Sequence, residues 1–167
     1  MIENILSPVI DHHSVVLIVG SMPGVQSLEK QQYYGNPRNH FWLIMEHLLG
    51  ERIPGDYEER LNILLRHKIA LWDVIKACVR EGSLDSNIKG EIPNDFITML
   101  KKYPNIKVIA FNGTKARETF RKKIGFEQFQ NIDFYQLPSS SPVPGRNVKT
   151  LAEKMESWTI LKQVLKG

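Results

Sequence analysis

The sequence predicts an α/β domain built on a four-stranded, mainly parallel sheet. Four short apolar runs, Val15–Val19, Ile69–Trp72, Val108–Phe111 and Ile132–Leu137, have the length and composition of strands buried on both faces. Helical patterns stand between them. Alternation of this kind places helices on both faces of a parallel sheet.

Each element has its own justification. Phe41, Ile44, Met45 and Leu48 recur at helical spacing, and Gly50 supplies the stop. A second helix spans Tyr57–Arg66. A third follows Pro93, with Phe96, Ile97 and Leu100 expected inward. A fourth runs over Thr114–Lys123 and ends at Gly125. The last opens with Thr150 and Glu153 at capping-box spacing, and Leu151, Met155, Trp158, Leu161 and Leu165 form its apolar stripe. The fourth apolar run is the weakest strand, because Asp133 and Gln136 interrupt it.

Composition narrows the functional classes. The 167 residues, 42% hydrophobic and 24% charged, suit one globular domain over 1–167 and exclude a disordered or collagen-like chain. The net charge of +4 permits a polyanionic partner without demanding one. Cys78 is the single cysteine, so neither an internal disulfide nor a cysteine-held metal cluster is expected. Residues 1–11 do not read as a signal peptide, and no apolar run reaches bilayer length, so a cytoplasmic protein is expected. His40 and His47 stand seven apart, not the four of a helical metal pair, and His12 and His13 add no ligand spacing, so no metal site is expected. No Gly-x-Ser-x-Gly elbow supports a serine nucleophile.

Parallel sheets put their sites at the carboxyl ends of the strands. Gly20-Ser21-Met22-Pro23-Gly24 follows the first run, Asp73 the second, and Asn112-Gly113-Thr114 the third. Pro138-Ser139-Ser140-Ser141-Pro142-Val143-Pro144-Gly145 follows the fourth. These loops should converge on one sheet edge. The glycine loop is either a plain strand-to-helix turn or a place where backbone amides meet a ligand. It is not a phosphate-binding loop, since no Gly-Lys-Ser/Thr follows. In Gln32–Trp42, Asn36-Pro37 can start a helix, but that leaves Tyr33, Tyr34 and Asn39 unexplained. Aromatic rings stack on bases, and amides read base edges or orient water. The serine-proline loop is either a rigid surface turn or a grip on a phosphate backbone.

Gly20–Gly24 followed by Tyr33-Tyr34-Gly35-Asn36-Pro37-Arg38-Asn39-His40-Phe41-Trp42 resembles the first motif of the uracil-DNA glycosylase superfamily. The match is closest to its deoxyinosine (hypoxanthine-DNA) glycosylase branch, related to the mismatch-specific glycosylases. Leu71-Trp72-Asp73-Val74 and Gly82-Ser83-Leu84-Asp85 resemble the same branch. Pro138-Ser139-Ser140-Ser141-Pro142 is similar to the superfamily's serine-proline motif. The resemblance implies a three-layer α/β/α sandwich and hydrolysis of the bond between a deaminated base and deoxyribose, with no cofactor and no metal. The partner it implies is DNA containing a deaminated base, met by a monomer.

Met22 stands where better-known branches carry an Asp or Asn that handles the attacking water. The resemblance therefore assigns the catalytic, water-orienting role to Asn39, and implies weak or absent action on uracil. It implies base contacts from Gly20, Ser21, Met22, Gly24, Tyr34 and Asn112, although Asn112 can equally cap the helix after Gly113. It implies DNA contacts from Ser139, Ser140, Ser141, Pro142 and Arg146, with Lys115 and Arg117 as further backbone candidates. Arg121-Lys122-Lys123 reads as a solvated helix end.

Overall fold

A computed structural model describes residues 1–142 and 148–166. In chain order the elements are β1 (Ile2–Glu3), β2 (Val16–Gly20), α1 (Val25–Lys30), α2 (Phe41–Leu49), α3 (Tyr57–Arg66), β3 (Ile69–Asp73) and β4 (Ile75–Val79). A 3-10 turn at Asp85–Asn87 follows, then β5 (Lys89–Pro93), α4 (Phe96–Lys102), β6 (Val108–Asn112), α5 (Thr114–Lys123), β7 (Asp133–Leu137), α6 (Leu151–Trp158) and α7 (Leu161–Lys166).

The main sheet is parallel throughout, in the order β3-β2-β6-β7. Its residues alternate between two cores. Val16, Ile18, Ile69, Leu71, Val108 and Ala110 face α2, α3, α6 and α7, while Leu17, Val19, Ala70, Ile109 and Phe111 face α4 and α5. Helices therefore cover both faces, and the α/β/α sandwich is as expected. The largest buried rings divide the same way. Phe41 and Trp158 fill the first core, and Phe96, Phe111 and Phe120 fill the second.

Local signals explain several boundaries. Gly50 closes α2 in the left-handed conformation (φ 63°), where its amide bonds Glu46 O. Asp56 caps α3 by accepting from Glu59 N. Thr150 and Glu153 form the expected capping box at the start of α6.

Three expectations need correction, and one feature was not foreseen. Ile97 is exposed, and α4 buries Phe96 and Met99 instead. The terminal helical stretch breaks at Thr159–Ile160 into α6 and α7. Asn36 caps no helix; its side chain accepts from Arg38 N within a turn. A second, antiparallel sheet, β1-β4-β5, also stands beside the main one. It matters for the site because β4 leaves β3 after one residue and holds the glycine loop. Ile75 N donates to Ser21 O and Val74 N to Gly20 O.

Candidate active site

The carboxyl ends of β2, β3 and β6 open into a cavity of about 1000 Å³, at the upper end of the range for ligand sites. It is lined by Gly20–Gly24, Tyr34, Asn39, Asp73, Ser83–Ser86, Asn112 and Ser139–Pro142, among others. The strand-end loops named from sequence do converge.

Register explains the floor. Gly20 pairs with Asp73 across β2 and β3, and Val19 pairs with Phe111, so Asn112 follows beside Gly20. The alternation that sends Val16 and Ile18 toward α2 sends Gly20, Asp73 and Asn112 the same way. Gly20 lacks the side chain that would fill the row. A Cβ there would stand 2.6 Å from Asp73 Oδ1 and 3.6 Å from the Tyr34 hydroxyl. Its missing side chain leaves the space beside its Cα to the Asp73 carboxyl, with the Tyr34 hydroxyl close by.

The glycine loop is held by neighbours far away in sequence. The buried Arg80 guanidinium donates to Pro23 O at 2.7 Å. Ser21 Oγ donates to Asp85 Oδ1 at 2.7 Å. Ser83 Oγ, which a Cβ on Gly24 would crowd at 3.2 Å, accepts from Val25 N and so caps α1. Met22 is buried in the second core and also lines the cavity. A thioether there can neither activate nor strongly hold a water.

Tyr34 is the central aromatic. Its backbone is left-handed (φ 54°), an uncommon conformation for a bulky residue, and its carbonyl accepts from Trp42 Nε1. Phe41 stacks on one face of its ring, with centroids 3.9 Å apart. Burial raises its hydroxyl pKa, with Asp73 adding to the effect, so the phenol stays neutral. Tyr33 belongs to the core, where its hydroxyl donates to Ser7 O.

Asn112 caps no helix. Its Oδ1 accepts from Ser140 N, and its Nδ2 donates to Ser140 Oγ and to the Tyr34 hydroxyl. Its amide thus ties the serine loop to β6. Ser140 is buried, its amide donating to Asn112 Oδ1 and its hydroxyl accepting from Asn112 Nδ2, whereas Ser139 and Ser141 are partly exposed. Arg146 and the Val143–Gly145 segment lie outside the described residues. Lys115 pairs with Glu91 and Arg117 with Glu118, which leaves neither as a free cation.

Asn39 Oδ1 accepts from Phe41 N at 2.9 Å, fixing the amide at the start of α2. Its Nδ2 has no partner among the described residues, and the residue lines the cavity. The next residue binds the serine loop: His40 N donates to Ser140 O. The buried Lys154 ammonium donates to His40 Nδ1 and to Ser141 O, each at 3.2 Å. Burial lowers the pKa of Lys154, and burial together with that ammonium lowers the pKa of His40.

Two acids were not assigned from sequence. Asp73 is 4% exposed, and burial pushes its pKa up to about 6 against the lowering effect of a hydrogen bond from Asn4. Asp85 is also raised by burial. The position of Asp73 at a strand end was the available signal.

Fold and site together define a large, polar-lined cavity at the switch edge of a parallel sheet. A family model described as the uracil DNA glycosylase superfamily matches residues 7–162, and the chain belongs to that superfamily. It is 40% identical over 161 residues to a hypoxanthine DNA glycosylase of Methanosarcina acetivorans, covering 95% of this chain and 96% of that one. It is 38% identical over 152 residues to a hypoxanthine DNA glycosylase of Methanosarcina barkeri, covering 90% and 92%. A solution NMR structure named for a uracil DNA glycosylase of Methanosarcina acetivorans superposes with a TM-score of 0.84 at 38% identity, covering all of both chains. No helix among the described residues is long and apolar enough to cross a membrane.

Proposed function

We propose that this chain is a monofunctional DNA glycosylase of base excision repair. It hydrolyses the N-glycosidic bond of a deaminated base in DNA, and hypoxanthine is its principal substrate. The carrying observation is the cavity itself, with Tyr34, Asn39 and the serine loop around one opening. The two relatives that align over nine-tenths of the chain or more support the choice of hypoxanthine.

The target nucleotide must leave the stack to reach such a site. Ser139, Ser141 and Pro142 grip the phosphate backbone, and Arg146 adds charge. The base enters beside Tyr34 and stacks on the ring face that Phe41 does not occupy. Gly20, Ser21 and Gly24 leave room for close contact with its edge, Met22 gives it an apolar wall, and Asn112 holds Tyr34 and the serine loop in place.

Departure of the base leaves an oxocarbenium-like sugar, and water completes the reaction. Asn39 orients that water. The Phe41 amide takes one Oδ1 lone pair, and the second can accept a water proton. An amide is no strong base, so the chemistry it suits is one in which bond breaking leads and the water chiefly needs placing. The enzyme works as a cytoplasmic monomer, since a lesion needs one copy.

The test is release of free base from duplexes carrying inosine, uracil, xanthine or no lesion. Release from inosine well above uracil is expected. Uracil released as fast as hypoxanthine would replace the substrate assignment. Binding of every lesion without release would make the protein a damaged-DNA-binding module, the role that Met22 in place of a polar residue would suit.

A further inference from the structure

We propose that Asp73 is the proton donor to the departing purine: its carboxyl O–H bonds a ring-nitrogen acceptor of the flipped base, N7 or N3, and transfers the proton as the C1′–N9 bond breaks. This rests on the glycosylase reading above and adds a catalytic residue to it.

The geometry begins with Gly20. Its absent side chain leaves the Asp73 carboxyl leaning over the Gly20 Cα, at the point where a base edge would meet the loop. Asp73 Oδ2 accepts from Asn4 Nδ2 at 3.0 Å, and Oδ1 takes no hydrogen bond among the described residues. A nine-tenths-buried polar group with a free oxygen thus borders the cavity. That oxygen is not sealed from the cavity, so a base edge can reach it in place of water.

Electrostatics make the protonated form more accessible than in an ordinary carboxyl, and dominant below about pH 6. The titratable groups that face the carboxyl are Tyr33 and Tyr34 from the loop before α2, Tyr57 of α3 and Asp85 of the 3-10 turn. None of them is cationic. Asn4 donates to the carboxylate and pulls the other way, but burial wins and holds the pKa near 6. An ionised carboxylate would repel both the phosphates and the charge that builds on a leaving base. A protonated one offers the donor that a purine anion needs.

The step balances. The C1′–N9 electron pair passes to the base, the Asp73 proton goes to N7 or N3, and a carboxylate remains. Water adds to C1′, and the proton it sheds restores the acid through solvent. One water is consumed, and hypoxanthine and an abasic sugar form.

The experiment is single-turnover release of hypoxanthine from an inosine duplex between pH 5 and 8.5. The wild-type rate is expected to fall as pH rises through the pKa of the acid. Asp73→Asn keeps the shape and a donor but has no proton to give. It should be slower by about a hundredfold or more at pH 5.5, with a flat profile and duplex affinity within about threefold of wild type. Asn4→Ala, outside the cavity, removes a bond that favours the carboxylate, so its falling limb should move to higher pH. It also carries the test if Asp73→Asn does not fold.

Duplexes with 7-deaza- or 3-deazadeoxyinosine tell the acceptors apart. The analogue missing the true acceptor should slow wild type and slow Asp73→Asn no further. A flat wild-type profile, or Asp73→Asn within threefold of an active wild type, overturns the role of Asp73 alone. Wild type that releases no hypoxanthine at any pH overturns the glycosylase reading and this proposal together.

Discussion

Asn112 and Ser140 hold each other by two hydrogen bonds of 2.9 Å, amide to carboxamide oxygen and carboxamide nitrogen to hydroxyl. The pair is buried and joins the end of β6 to the serine loop, while the same Asn112 Nδ2 reaches the Tyr34 hydroxyl at 3.2 Å. The backbone grip and the base pocket are therefore one connected unit.

Asn112→Ala removes the acceptor of a buried amide. A loss of about 1–3 kcal/mol in unfolding free energy is expected, measured by urea titration. Excision of hypoxanthine should fall at least tenfold, because Tyr34 and the serine loop lose their common tie.

Gly20→Ala tests the empty place on the cavity floor. The new methyl would crowd Asp73 Oδ1, and Asn4 limits how far that carboxyl can move. A destabilisation of about 1–3 kcal/mol is expected from overpacking. Excision should drop at least tenfold, with thermal unfolding run alongside to separate the two effects.

Asp73 makes stability depend on pH in a definite direction. Its folded pKa, about 6, lies above its ordinary value of 3.8. The native state binds the proton more tightly, so the contribution of Asp73 to stability is greatest below about pH 4 and declines as pH rises to about 6. The full loss, about 3 kcal/mol, persists above that. Asp73→Asn should therefore unfold at a higher temperature than wild type at pH 8, with a smaller gain at pH 4, even though its excision is slow. Calorimetry at the two pH values measures the difference.

Lys154 is a buried cation with no acidic partner among the described residues. Its pKa is lowered by folding. Wild-type stability should accordingly rise with pH from that lowered value up to the ordinary 10.5. Lys154→Met should lack the rise and be no less stable at pH 7, since an apolar replacement of a buried charge is often neutral or better. Its excision rate should still fall, because Ser141 O and His40 Nδ1 lose their shared donor. Thermal unfolding at pH 7 and 9.5, with kinetics at pH 7, checks both parts.

Much of the fold is local, and local signals read well. The strand runs at Val16–Gly20 and Val108–Asn112 are buried on both faces, and Tyr57–Arg66 and Thr114–Lys123 carry helical periodicity. The second sheet was not legible: β1 has two residues, β5 contains Gly90 at φ 62°, and the β4–β5 register shifts twice. The break after Trp158 was hidden because Leu161 and Leu165 continue the apolar spacing.

The site divides in the same way. Loops after strand ends could be named from sequence. The placement of the Asp73 carboxyl rests on a hydrogen bond from Asn4, 69 residues away, and on the space left by the side chain that Gly20 lacks. The full engagement of Asn112 depends on Ser140, 28 residues further along.

Base release by wild type and Asn39→Ala on one inosine duplex, under single-turnover conditions with binding measured in parallel, tests the assignment most directly. Wild type should release hypoxanthine, while the variant binds the duplex within about threefold and releases base at least a hundredfold more slowly. A variant as fast as wild type would contradict Asn39 as the residue that places the water.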